Sequence, residues 1–188
     1  MARPRSEEAR QSVLTSALEV IAEVGVGGFT IDAVAKHSGV AKTTIYRHWD
    51  SGNHLILDAV DTAIEPFPTP NTGSLRSDLI ELYGCFLPVM EDPRVFRMML
   101  GMIARSAQDE SFRALKAEFM QERHHPLKTI IQLAQSRGEI PDDLDLDFAL
   151  DIIEGPFASK RLMRGEHIAV EDLPKYVDAA LYGICGHP

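Results

Sequence analysis

The sequence predicts an all-α fold of about nine helices. Apolar residues recur at three- and four-residue intervals through most of the chain. Glycine and proline punctuate those stretches, and no segment alternates apolar and polar residues as a strand would.

The first helix is expected over residues 6–24. Ser6 stands at a cap position, with Glu7 and Glu8 in the first turn, where the helix dipole favours negative charge. Leu14, Ala17, Leu18 and Ile21 form a core stripe flanked by Val13, Val20 and Val24, and Gly25 ends the helix. Gly25-Val26-Gly27-Gly28 follows a helix rather than a strand, so it reads as a turn and not as a phosphate cradle. Thr30 then caps a short helix over 31–37, with Ile31, Val34 and Ala35 on its apolar face, and Ser38-Gly39 breaks it. A second short helix over 40–49 places Val40, Ile45 and Trp49 on one side and Lys42, Thr43, Thr44, Tyr46, Arg47 and His48 on the other. Two short helices joined by a glycine turn form a helix-turn-helix.

Asp50 or Ser51 caps a fourth helix running through Leu55, Ala59, Val60 and Ala63. Pro66, Pro68 and Pro70 stop it and stiffen a connector that ends near Gly73. Further helices are expected over 75–90, where Pro88 disturbs the last turn, and from Asp92-Pro93 to Ser106, a cap followed by proline at the first helical position. The stretch 110–136, closed by Arg137-Gly138, is kinked or divided at Pro126, and the last helices cover 147–163 and 170–184. The domain boundary lies in or just after the fourth helix, giving segments 1–52 and 53–188.

The net charge of -9 is unevenly placed. Residues 1–50 hold six basic and six acidic side chains, and the remainder holds 13 against 22. A neutral first segment with Arg3, Arg5 and Arg10 near its tip can approach phosphates, which repel the acidic remainder. Cys85 and Cys185 show no metal-ligand spacing and read as reduced, buried thiols of a cytoplasmic protein. No secretory signal and no membrane span is expected. The adjacent His124-His125 point to different helix faces, and the run from Asp142 to Asp147 lacks the glycine and terminal glutamate of a calcium loop, so no metal is expected. Without a nucleophile elbow, zinc spacing or nucleotide fingerprint, neither an enzyme nor a cofactor is expected. A helical interaction adaptor and an unrecognised helical enzyme are the competing classes.

The run from Phe29 to Trp49 closely resembles the helix-turn-helix signature of the tetracycline-repressor (TetR) family, in order, spacing and residue type over roughly residues 10–60. The segment 134–145, with Arg137-Gly138-Glu139-Ile140, is similar to the one that often precedes the last two helices in that family. Gly52-Asn53 departs from the lysine usual after the serine. The resemblance implies a three-helix DNA-binding unit followed by a helical domain. That domain dimerises through its last two helices and in many members encloses a small effector, with repression as the usual mode.

A helix entering the major groove needs short polar side chains at its N-terminal end for base edges, and longer ones for phosphates. Lys42, Thr43 and Thr44 meet the first need; Tyr46, Arg47 and His48 meet the second, and Thr30 offers a helix N-terminus to a phosphate. Two-fold pairing on a palindrome doubles the contacts, so double-stranded operator DNA and a second copy of the chain are the expected partners. Phe148, Ile152, Phe157 and Leu162, with Leu173, Val177, Leu181 and Ile184, are the candidate dimer stripes. An effector pocket for a mostly apolar molecule would draw on Phe86, Met90, Phe96, Met99, Met102, Ile103 and Phe119, with Arg123, His124 or His125 answering a polar group.

Overall fold

The structure, a computed structural model, describes the backbone of residues 3–184 and the side chains of residues 6–181. The side chains of Arg3, Arg5 and Ile184, and Cys185 as a whole, lie outside the described residues. Among those described there is no strand. There are ten α-helices: α1 (Arg3–Val24), α2 (Ile31–Ser38), α3 (Lys42–His48), α4 (Gly52–Ala63), α5 (Leu75–Glu91), α6 (Pro93–Gln108), α7 (Glu110–Arg123), α8 (His125–Ser136), α9 (Leu146–Ala158) and α10 (Leu173–Ile184). They divide into two compact units, Met1–Glu65 with Asp92–Gln121, and Pro66–Glu91 with Glu122–Pro188.

In the first unit, α1 contributes Val13, Leu14, Ala17 and Val20 to a core completed by Ile31 and Val34 of α2, Ile45 of α3 and Leu55, Ile56 and Ala59 of α4. The helix α6 meets the 3-10 turn Val26–Gly28 at Gly101, where a Cβ would lie 3.0 Å from the Val26 side chain. A glycine is needed for that approach. Arg105 of α6 closes the contact by donating to the Val26 carbonyl at 3.0 Å and to Asn53 Oδ1 at 2.7 Å. Asn53 in turn donates to Asp109 and Ser111. Asp109 also accepts from Phe112 N, and these bonds, the backbone one foremost, lower its pKa to about 2. The compact unit thus takes in α4, α6 and most of α7. Local proline and glycine signals mark where the chain turns, and carry no information about the long-range bonds made by Asn53 and Arg105.

The second unit packs α5, α8, α9 and α10 around Leu75, Leu79, Leu82, Ile130, Ile131, Ile153, Leu173 and Val177. A buried polar knot pins the start of α5. Asp78, with no exposed surface, accepts from Thr72 N at 2.6 Å, Thr72 Oγ1 at 2.7 Å and Arg137 at 3.0 Å. Arg137 also binds Glu139, whose other oxygen accepts from Leu75 N at 2.7 Å. The segment Arg137-Gly138-Glu139 therefore ends α8 and caps α5 at once.

Several local expectations shift. The first helix begins at Arg3, so Ser6 lies inside it rather than capping it. The second short helix begins at Lys42, because Ala41 is extended (φ −60°, ψ 139°) and Val40 stays in the turn. Ser51 rather than Asp50 caps α4, accepting from His54 N. The helix α5 continues through Pro88, and the stretch 110–136 divides just before Pro126. The last two helices are framed by a π turn, Ser159–Met163, and a 3-10 turn, Val170–Asp172. Cys85 corrects the expectation of a buried thiol: it is exposed, because Leu79, Leu82, Tyr83 and Leu87 turn the opposite face of α5 inward.

Burial alone would raise the Asp78 pKa, but the bonds from Thr72 and Arg137 outweigh it and hold the carboxyl below its ordinary value. A lowered folded-state pKa contributes stability that is present above the unfolded value, near ~3.9, and lost as pH falls through the folded value. Asp78→Ala is expected to cost about 2–3 kcal/mol at pH 7 in denaturant unfolding, since it strands the Arg137 guanidinium and the Thr72 donors. The gap to the parent protein should narrow progressively below about pH 4. A gap that does not depend on pH would show that the charge at Asp78 does not carry the effect.

Candidate nucleic-acid interface

A helix as short as α3 cannot persist by its own propensity, so its neighbours must hold it. Ile45 is fully buried beneath it and Trp49, at its end, is 4% exposed. The Trp49 indole N–H donates to Asp58 of α4 at 2.8 Å, and Arg10 of α1 donates to the same carboxylate oxygen at 2.8 Å. The Arg10 guanidinium also lies 5.8 Å from the centre of the Trp49 ring. One carboxylate thereby ties together α1, the end of α3 and α4.

The turn is equally specified. Thr30 accepts from Ala33 N at 3.2 Å and caps α2, and Gly39 closes it at φ 68°, a conformation that L side chains rarely adopt. Ser38 Oγ accepts from Val40 N at 3.2 Å. On α2 itself, the His37 ring lies 3.8 Å from Glu19 and 3.5 Å from Glu23 of α1.

With Ile45 turned inward, the rest of α3 faces outward. Lys42, Thr43, Tyr46 and Arg47 are exposed, and the Tyr46 side chain is 52% exposed, high for an aromatic residue. Thr44 is half-buried, as is His48, which meets Ser6 Oγ at 3.4 Å and tilts against Trp49. Thr30 is exposed at the start of α2. All seven residues singled out for DNA contact therefore lie in one helix-turn-helix. Sequence reading missed the partner of Lys42: its ammonium sits 2.6 Å from Asp32 Oδ1, in the first turn of α2. The ten-residue separation of the two, across a turn, gives no periodic signal.

The other candidate residues are more dispersed. Phe86, Met90 and Arg123 belong to the second compact unit, and Phe96, Met99, Met102, Ile103 and Phe119 to the first. In the second unit Phe86 meets Phe67 and Tyr83 edge-on at 5.4 and 5.7 Å, and Arg123 lies over Phe67 at 5.6 Å. Met102 is buried, Ile103 is exposed, and the remaining three are half-buried. Of the dimer stripes, Phe157, Leu173 and Val177 are core, Ile152 and Leu181 half-buried, and Phe148 and Leu162 exposed beside Met163. His124 faces Glu154 at 3.4 Å, while His125 is exposed. Among the described residues no cluster of histidine, cysteine and carboxylate could hold a metal ion, and no helix is long and apolar enough to cross a membrane.

A short polar helix held outward by a buried isoleucine, after a tight left-handed turn, defines a helix-turn-helix DNA-binding protein. Residues 13–59 match the model of the bacterial regulatory proteins of the tetR family, and residues 69–180 match that of the tetracyclin repressor-like C-terminal domain. The chain belongs to the TetR family of transcriptional regulators. It is 29% identical over 170 residues to the DNA-binding transcriptional repressor TetR of Mycobacteroides abscessus, covering 86% of each chain. Its fold is similar to that of the TetR-family regulator SCO0332 (27% identity, TM-score 0.72, 95% of this chain and 100% of that one). It is also similar to FadR of Bacillus subtilis, solved with stearoyl-CoA (18% identity, TM-score 0.70, 93% and 98%).

The Asp32–Lys42 pair is exposed on both sides, so phosphate can compete for it at little cost. Asp32→Asn is expected to tighten binding to duplex DNA by up to about fivefold at low salt. It should also steepen the slope of log K against log salt by about one unit, because the Lys42 charge, no longer paired with Asp32, adds to the positive charge that the duplex meets. Fluorescence anisotropy over a salt series reads both quantities. An unchanged slope would mean that Lys42 makes the same DNA contacts with or without Asp32.

Proposed function

We propose that the protein is a homodimeric repressor that binds a palindromic double-stranded operator and releases it on binding a small, mostly apolar effector. In this reading residues 1–52 bind DNA, and residues 53–188 dimerise and hold the effector. The observation that carries it is the outward face of α3: Lys42, Thr43 and Thr44 at the leading end for base edges, and Tyr46, Arg47 and His48 for phosphates, with Thr30 at the start of α2 as a further phosphate contact.

One such unit covers too little duplex for high specificity, and a two-fold pair sets half-sites about 34–36 Å apart. Exposed Phe148 and Leu162, with half-buried Ile152 and Leu181, supply the dimer surface together with Met163, which is 83% exposed. The 29% identical relative is a repressor, which favours repression here. FadR, which shares the fold, holds stearoyl-CoA, in keeping with a largely apolar effector. Of the candidate pocket residues, Phe86, Met90 and Arg123 belong to the second compact unit, and this reading takes the effector site there. To move operator occupancy from 99:1 to 1:99 it must favour the released state by about 5.5 kcal/mol. Operator binding puts the site of action in the cytoplasm.

The test is footprinting of the DNA flanking the coding gene, with the mass of the complex measured by light scattering. A protected palindrome carrying two protomers is the expected result. Tyr46→Phe is expected to weaken operator and random duplex alike, by about fivefold to tenfold, because a phosphate contact carries no direct sequence information. Protection by a single protomer would overturn the dimeric reading, and unchanged affinity would remove Tyr46 from the interface.

A further inference from the structure

In the second compact unit five aromatic rings follow one another. Phe67 and Phe86 meet edge-on, as do Phe86 and Tyr83; Tyr83 stacks on Phe157 at 4.4 Å with planes 4° apart, and Phe157 tilts against Tyr176 at 6.1 Å. At the centre of this row the Tyr83 hydroxyl is buried, the residue being 3% exposed, and among the described residues no group hydrogen-bonds to it. Leaving such a hydroxyl unsatisfied is costly, and native interiors rarely do so without reason. Beside it the half-buried Glu154 carboxyl of α9 acts electrostatically on Tyr83 and faces His124 Nε2 at 3.4 Å. Asp151, one helical turn earlier, adds a second negative charge.

We propose that Tyr83 and Glu154 form the polar end of the effector site, and that the site takes a ring-bearing organic cation. This rests on the reading of the second unit as effector-binding and adds the chemical class of its ligand. The rings supply apolar area and negative π faces that attract a cation. The Tyr83 oxygen offers lone pairs, and Glu154 offers a counter-charge. Long-range charge agrees, since this unit carries eight basic against fifteen acidic side chains. The cations already present sit at the two ends of the row, Arg123 over Phe67 and Lys160 over Tyr176, each at 5.6 Å.

The charge states supply a signature. Burial first, then Asp151, raises Glu154 to about 7, so near neutral pH a cation must displace the carboxyl proton. Burial first, then Lys128, against an opposing pull from Asp147, lowers His124 below its usual range, so above pH 6.5 it stays mostly neutral. Tyr83 is raised by burial and Glu154 and stays protonated throughout. A permanent cation should therefore bind about fourfold more tightly at pH 8.5 than at 6.5.

The experiment compares three probes sharing one ring by calorimetry on the full chain: (1-naphthylmethyl)trimethylammonium, 1-naphthaleneacetamide and 1-naphthaleneacetate. The expected order at pH 8.5 is ammonium, then amide, then carboxylate, with affinity rising with pH for the ammonium and falling with pH for the carboxylate. Glu154→Gln should abolish that pH dependence and weaken the ammonium at least fivefold, leaving the amide within twofold. Tyr83→Phe, which keeps the ring, should weaken the ammonium and the amide by about threefold to tenfold. Tightest binding by the carboxylate, or an ammonium affinity that is flat with pH and indifferent to Glu154→Gln, overturns the cation assignment while leaving an effector site in this unit. Saturable binding of none of the three overturns the site itself. Operator binding by each variant, measured in parallel, reports on the DNA-binding reading separately.

Discussion

A seven-residue helix is unstable alone in water, and the DNA-reading surface of this protein is built on one. Its polar attachment is the carboxylate of Asp58, which receives the Trp49 indole and the Arg10 guanidinium at 2.8 Å each. The bonds come from two other helical elements, so the site fixes an angle as well as a distance. Ile45 supplies the apolar half of the attachment and decides which face of α3 turns outward. A helix attached in this way holds its outward face in place through its neighbours rather than through its own length.

The second compact unit uses the same device on a larger scale. Its core is apolar, yet the start of α5 is set by the buried Asp78 and by the half-buried Arg137 and Glu139 that surround it. Breaking one member of such a knot is far costlier than never having had it, because the remaining partners stay desolvated. The knot joins residues about sixty positions apart, and so specifies how α8 meets α5 more sharply than interchangeable leucines and isoleucines do.

That difference explains what could be read from the chain in advance. Helix positions follow from spacing and punctuation: Thr30, Gly39, Ser51 and Asp92 act as caps or stops within a turn or so of where local chemistry puts them. The outward face of α3 was legible for the same reason, since Ile45 and Trp49 leave only one apolar side. Long-range polar partners were not legible. Nothing local to Arg105 points to Asn53, nothing local to Lys42 points to Asp32, and the exposure of Cys85 follows from which face of α5 the rest of the unit covers. The apolar stripes of the last helices were visible, but periodicity does not distinguish a core position such as Val177 from an outward one such as Phe148.

The charge distribution brings these strands together. A chain with net charge -9 should avoid a polyanion, and most of this one has the charge to do so. In the first helices the carboxylates are engaged locally: Glu7 lies 4.0 Å from Arg10, Asp32 is bonded to Lys42, and Glu19 and Glu23 flank His37. Residues 1–50 balance six basic against six acidic side chains, so the exposed face of α3 sits against a nearly neutral local background. The remainder of the chain carries 22 acidic against 13 basic side chains, a balance that discourages non-specific attachment to a polyanion. Acidity overall and DNA binding are then compatible, because the charge balance of the helix-turn-helix segment differs from that of the rest of the chain.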